Sequence, residues 1–248
     1  MCLIVLAWRP GHALPLLVAA NRDEFYARPS AGLGEWADSP GLVAGRDLQA
    51  GGTWLGSSPG GRFAALTNIR DPGAVQGSRS RGELPLRFLR DDQPPERFLN
   101  GLRAEADDYS GFNLLVGDRQ QLWHFNSHNG QARALPAGIH GVSNADLDTP
   151  WPKLQRAKAA LAQALDGADE ERLFALLGDR EKPEDHALPD TGVGLATERL
   201  LSSVFIASPN YGTRASTLVQ LHADGSRRLR ERRFGVDGVP LGETRFEG

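Results

Sequence analysis

The chain has 248 residues, 40% hydrophobic and 24% charged, and a formal net charge of −3. This makes one domain spanning 1–248 the default and supplies no basic field for nucleic acid. A single cysteine excludes an internal disulfide and a cysteine-rich zinc site, and the apolar stretches, broken at Arg9-Pro10-Gly11, are about a strand long and too short for a membrane span. The N-terminus has no basic leader or long apolar core, so a cytoplasmic location is expected; composition sets no oligomeric state.

Cys2 to Trp8 is a continuous apolar run and reads as a strand buried on both faces. Arg9 to His12 supplies a turn, and Leu14 to Ala20 returns antiparallel, so residues 2–20 read as a hairpin. The hairpin delivers Asn21-Arg22-Asp23-Glu24 to its far end, beside Cys2. Gly45 to Gly61 is rich in Gly, Ser and Pro around Thr53-Trp54-Leu55-Gly56, a short strand between turns, and Arg62 to Asn68 is a further strand. Glu83 to Arg90 and Pro95 to Ala106 carry helical apolar spacing. Strands resume at Phe112 to Gly117, Leu122 to Asn126 and Ile139 to Ser143. Thr149-Pro150 reads as an N-cap with proline at the first helical position, opening a helix whose face carries Trp151, Leu154, Ala157, Leu161 and Leu165. Asp169 to Leu177 is a second helix there, and the polar 178–194 is a long surface loop suited to a lid or to binding. Ser203 to Ala207, Ser216 to His222 and Arg227 to Phe234 are expected strands. Strands, then helices, then strands predict two packed sheets covered by helices.

The chemistry turns on position 2. Methionine aminopeptidase trims Met1 when the next residue is small, which would leave the Cys2 thiol on the residue bearing the free α-amine. An amine titrating near ~7.7–8.0 beside a thiol near ~8.5 puts base and nucleophile on one residue. The competing reading of Cys2 is a small apolar residue at a strand edge, where free cysteines commonly reside. Other signals are weaker. His124 and His128 have helical metal-pair spacing but lie where a strand runs into a turn, so no metal is expected. Gly51-Gly52 and Gly60-Gly61 lack the Lys-Ser/Thr of a phosphate loop and read as hairpin turns.

The motifs Met1-Cys2, Ala20-Asn21-Arg22-Asp23-Glu24-Phe25 with Arg28-Pro29, Ala44-Gly45-Arg46-Asp47, Gly51-Gly52-Thr53-Trp54, Leu66-Thr67-Asn68, Gly141-Val142-Ser143-Asn144 and Tyr211-Gly212-Thr213-Arg214 occur in this order. Together they resemble the NRDE family, also called the transport and Golgi organisation protein 2 family. That family is similar in turn to the cysteine N-terminal-nucleophile (Ntn) hydrolases, which include bile salt hydrolases and penicillin V acylases.

The resemblance implies an α+β fold, a four-layer αββα sandwich of two mainly antiparallel sheets covered by helices. It implies Cys2 as nucleophile and Asp23 as the aspartate that holds the amine. Asn68 and Asn144 would help form the oxyanion site, and Arg214 would be a late arginine stabilising the cluster. In the hydrolases an arginine precedes the aspartate by a few residues, whereas Arg22 adjoins Asp23. Adjacent residues of a regular strand point to opposite faces, so only one of the two can face Cys2. Two functions follow from the resemblance. One is hydrolysis of a non-peptide C–N amide bond of a small amide or acyl substrate through an acyl thioester, with no cofactor. The other is a non-catalytic carrier of haem or acyl lipid.

Overall fold

The computed structural model describes residues 2–165 and 169–248. Met1 and the side chain of Cys2 lie outside what it describes. Two antiparallel sheets face one another. The first has the order β10-β1-β2-β11-β12-β13, from β1 (Cys2–Trp8), β2 (Leu16–Phe25), β10 (Gly138–Val142), β11 (Tyr211–Leu221), β12 (Arg227–Phe234) and β13 (Pro240–Glu247). The second runs in sequence order from β3 (Ser30–Trp36), β4 (Ser39–Asp47), β5 (Leu55–Ser58) and β6 (Arg62–Asn68) to β7 (Phe112–Gly117), β8 (Leu122–Asn126) and β9 (Gln131–Ala134).

The period-2 pattern of the strands sorts the core into three layers. Ile4, Leu6 and Trp8 of β1 and Leu16, Val18 and Ala20 of β2 pack between the sheets against Phe63, Ala65 and Leu115. The alternate residues Leu3, Val5, Ala7, Leu17 and Ala19 face outward. There they are covered by Leu154, Ala157 and Leu161 of α3 (Pro152–Ala164) and by Leu173 and Leu177 of α4 (Glu170–Leu177). The outer face of the second sheet is covered by Leu84 and Phe88 of α1 (Glu83–Arg90) and Phe98, Leu99 and Leu102 of α2 (Pro95–Leu102). Both faces of β1 are therefore buried, which is why its sequence is unbroken apolar rather than alternating. Each fully buried phenylalanine among Phe63, Phe88, Phe112 and Phe125 contributes about 1.5–3 kcal/mol of burial. The layers are helix, sheet, sheet, helix, as the resemblance implied, and no helix among the described residues is long and apolar enough to cross a membrane.

Several elements differ from the sequence reading. Strand β2 runs on to Phe25, so Asn21 to Glu24 are strand residues and alternate between faces. The third helix starts at Pro152 after an extended Trp151. The Thr149 hydroxyl donates to the Asp146 carbonyl at 2.8 Å instead of capping, and Trp151, which precedes Pro152, is driven out of the helical region. Ser203 to Ala207 is not a strand. Its residues hydrogen-bond individually, Phe205 N–H to the Asp179 carbonyl and Ile206 N–H to the Thr213 hydroxyl. The segment 178–194 contains only a single 3-10 turn, Asp185–Ala187, and is followed by α5 (Leu195–Leu200).

Candidate active site

Four strand ends of the first sheet meet at one edge. Cys2 opens β1, with its Cα partnered across the ladder by Arg22 of β2. On the other side of β1, Ile4 pairs with Val142, so β10 runs out towards Ser143 and Asn144 at the same edge. Asp23 pairs with Thr213 at the start of β11.

Strand parity splits the Asn-Arg-Asp-Glu segment between two environments. Asn21 faces the helix layer, where its amide donates to the carbonyls of Leu177 (2.8 Å) and Val204 (2.9 Å) and its oxygen accepts from the Ser216 hydroxyl (2.6 Å). Both amide protons are thereby engaged in holding the end of α4 and Val204 onto the sheet. Asp23, on the same side of the strand and 2% exposed, accepts from the Thr213 hydroxyl at 2.7 Å. The Ile206 N–H donates to that hydroxyl oxygen at 2.9 Å, which aims the Thr213 proton at the carboxylate. Burial drives the Asp23 carboxyl above its usual range, against the opposing pull of Lys153, the Thr213 bond and Arg22. Lys153, itself buried in α3, donates to the Leu201 carbonyl at 2.8 Å.

Arg22 points the other way, between the sheets. Its guanidinium lies 4.1 Å from the ring centre of Trp54 and its Nη1 reaches the Ser30 hydroxyl at 3.4 Å. The indole is set by Gly45, where a Cβ would sit 2.2 Å from Trp54 Cζ2, so only glycine admits the ring. Arg28 donates to Asp47 at 2.6 Å. These residues from separated sequence motifs converge. Arg22, Asp23, Arg28, Asp47, Trp54 and Asn68 line one cleft of about 360 Å³, together with Arg79 and Arg81.

The two asparagines meet each other. Asn144, 1% exposed, donates from Nδ2 to the Asn68 backbone carbonyl at 2.9 Å and accepts from the Ser143 hydroxyl at 3.2 Å. Its own carbonyl accepts the Arg70 N–H at 2.8 Å. The bridge ties the end of β6 in one sheet to the strand neighbouring β1 in the other. Arg214 sits at a bulge where β11 shifts register between Thr213 and Ala215. Its Nη1 lies on the carbonyls of Phe25 (3.0 Å), Tyr26 (3.3 Å) and Arg28 (2.9 Å). The structure thus gathers Asp23, Asn68 and Asn144 around the edge that Cys2 opens, puts Arg22 in the cleft wall, and has Arg214 order the turn after β2.

Sequence reasoning missed Thr213 and Lys153. Thr213 lay inside a quoted motif but its register against Asp23 is a long-range pairing. Lys153 left a faint signal, a lysine on the apolar side of a helix. His124 is a buried residue of β8, and among the described residues no group of three or more His, Cys, Asp or Glu side chains is placed to hold a metal ion.

The comparisons agree with this architecture. The fold superposes on a mutant conjugated bile acid hydrolase from Clostridium perfringens with a TM-score of 0.55 at 8% identity, covering 99% of this chain and 92% of that one; this shows an Ntn hydrolase-like fold. Over 268 residues the chain is 34% identical to the human transport and Golgi organization protein 2 homolog, covering 99% of this chain and 97% of that protein. It is 27% identical to the Drosophila melanogaster transport and Golgi organization protein 2, covering 92% and 89%. A sequence model of the family described as transport and Golgi organisation 2 matches residues 1–235, and the chain belongs to that family.

Proposed function

We propose that the protein is an N-terminal cysteine hydrolase that cleaves a C–N amide bond of a small molecule through an acyl thioester on Cys2, once Met1 has been removed. The observation that carries this reading is the convergence of Asp23, Asn68 and Asn144 on the strand edge that Cys2 opens, beside a cleft large enough for a small molecule.

In this scheme the Cys2 thiol gives its proton to its own α-amine and the sulfur attacks the amide carbonyl carbon. The C–O π pair moves onto oxygen, forming an oxyanion that takes hydrogen bonds from the amides of Asn144 and Asn68; losing one such donor costs ~10²–10³ in rate. Collapse breaks the C–N bond, the ammonium proton goes to the departing nitrogen, and a thioester remains. Water, deprotonated by the same amine, then displaces the sulfur. Asp23 holds the amine, and the Thr213 bond holds Asp23. Arg22 and Arg214 contribute positive potential that favours the thiolate.

Intact mass and labelling with a thiol-reactive acyl probe test the reading together. Protein from its native host is expected to lack Met1 and to gain one acyl group. Cys2→Ala is expected to abolish labelling with little change in Tm. Quantitative retention of Met1 sinks the mechanism. Met1 retained together with a saturable Soret shift on haem titration would make the protein a carrier instead.

A further inference from the structure

We propose that a second chamber, which shares Arg22 and Trp54 with the cleft as a common wall, is a binding site for a small oxyanion group such as a carboxylate, sulfate or phosphate carried by a ligand. The chamber has a volume of about 110 Å³. Three arginines line it, Arg22, Arg214 and Arg233, against one carboxylate, Glu231, and its remaining wall includes the apolar Phe234 and Leu241.

The hydrogen bonds leave this charge unbalanced. Glu231 is 1% exposed, accepts at Oε1 from the Leu33 N–H at 2.7 Å and at Oε2 from the Thr217 hydroxyl at 3.0 Å, and lies in the field of Arg233 and Arg22, so one carboxylate faces three guanidinium groups. Arg233 is held nearby, yet its Nε is buried with no hydrogen-bond partner among the described residues. A buried guanidinium N–H without an acceptor is costly. An oxyanion in the chamber would supply the missing acceptor in the planar, forked geometry that guanidinium groups match. Arg214 uses Nη1 on the backbone carbonyls after β2, an anchorage that fixes the rest of its guanidinium at the chamber wall. Gly32 makes room for the arrangement: a Cβ there would meet Arg233 Cδ at 2.6 Å and Nε at 3.1 Å. The apolar wall keeps the local dielectric low, which strengthens attraction to an anion. The site does not depend on the chemistry of Cys2. It recognises charge at a place adjoining the cleft, so a ligand spanning both would present an anionic end here.

Isothermal titration at low salt with sodium sulfate, sodium phosphate and sodium propanoate tests the inference. Saturable binding of one or more is expected, with the tetrahedral and planar anions ranking which group the chamber prefers. Arg233→Gln lines only the chamber and is expected to weaken binding about 10- to 100-fold, the equivalent of a lost charged hydrogen bond. Its Tm in anion-free buffer, measured alongside, separates loss of binding from loss of fold, because Arg233 also offsets the buried Glu231 carboxylate. Gly32→Ala, which displaces the Arg233 side chain while keeping its charge, should weaken binding more modestly. Arg81→Gln, in the wall of the main cleft, and Cys2→Ala should bind as the parent does. No saturable binding of any of the three anions, or loss in Arg81→Gln with retention in Arg233→Gln, overturns the proposal. Because Cys2→Ala removes labelling but not anion binding, failure of the hydrolase reading and failure of this one are told apart.

Discussion

On the helix-facing side of β2 a carboxylate, Asp23, is buried within the field of a buried ammonium, Lys153. Between the sheets, a second buried polar cluster consists of the uncharged Thr67, Asn113, His124 and Asn126, and meets the half-exposed Asp146 at its margin, where Asn126 Nδ2 donates at 3.2 Å. The Asn113 amide donates to the Ala145 carbonyl at 2.7 Å and to Thr67 at 3.2 Å, which fixes its oxygen as the acceptor facing Asn126 Nδ2 and His124 Nε2, each at 3.0 Å. An acceptor there requires the proton on Nε2. Burial holds the histidine neutral, with its pKa lowered to about 4. Both clusters support the same edge, one beside Cys2 and the other beneath residues 145 and 146. Only the first contains groups that can bind and hold a proton carrier. Charge is thus buried within the field of charge beside Cys2, and the neutral network positions the backbone that follows Asn144.

The sharpest way to break that contrast is to remove the counter-charge. Lys153→Met keeps most of the volume but leaves Asp23 without one of the cations that offset its burial, and is expected to cost on the order of 3–5 kcal/mol. Adding Asp23→Asn should recover a substantial part of the loss, because the uncompensated charge is then gone. Denaturant midpoints for the four proteins of the cycle measure the coupling. Additive losses would mean that the two groups do not sense one another and that the comparison is empty.

Much of this was legible in advance. Continuous apolar runs marked the strands β1 and β2 because both their faces are covered, and helical spacing marked α1, α2 and α3. The strands β3, β4, β9 and β13 were not legible: residues such as Ser30, Gly32 and Gly34 in β3, and the exposed positions of β13, carry little alternation. β9 and β13 are held by ladder bonds to neighbours rather than by a buried face of their own, whereas β4 buries Leu42, Val43 and Ala44 in a run too short and too interrupted by glycine and charge to stand out. In the site, Asp23, Asn68 and Asn144 were found by motif. Thr213 and Lys153 were not, since their pairing with Asp23 spans 190 residues in one case and depends on how α3 docks in the other.

The neutral cluster makes a pH prediction of somewhat smaller size. The folded-state pKa of His124, about 4, lies below its unfolded value of about 6.5. The unfolded chain therefore takes up a proton first as pH falls, and stability declines between about 6.5 and 4, by roughly 3 kcal/mol in all. Above pH 6.5 both states are neutral and this residue contributes no slope. Urea unfolding of the parent and of His124→Gln at pH 7.5, 5.5 and 4.5 isolates the effect. A parent and variant with parallel pH profiles would show that the histidine is not held neutral by burial.

A third cluster, half-exposed just beyond the turn that carries Asn144, shows what charge contributes without deep burial. Asp148 accepts from Lys158 at 2.6 Å, from the Gly141 N–H at 2.9 Å, and lies 3.0 Å from His140. Although burial alone would raise its pKa, these partners bring it down to about 2. Its backbone is left-handed, with φ 58°, a conformation that asparagine also tolerates. Asp148→Asn therefore keeps the turn and removes only the charge. Solvent screens the pair with Lys158, so the expected cost near neutral pH is about 0.5–1 kcal/mol. A depressed carboxylate pKa contributes stability above the unfolded value near 3.8, and that contribution fades as pH falls toward 2. The difference between parent and variant should accordingly shrink below pH 4. A loss as large as that of Lys153→Met would mean that burial is not what separates the clusters, and that the turn at Asp148 bears on the Asn144 edge as directly as Asp23 does.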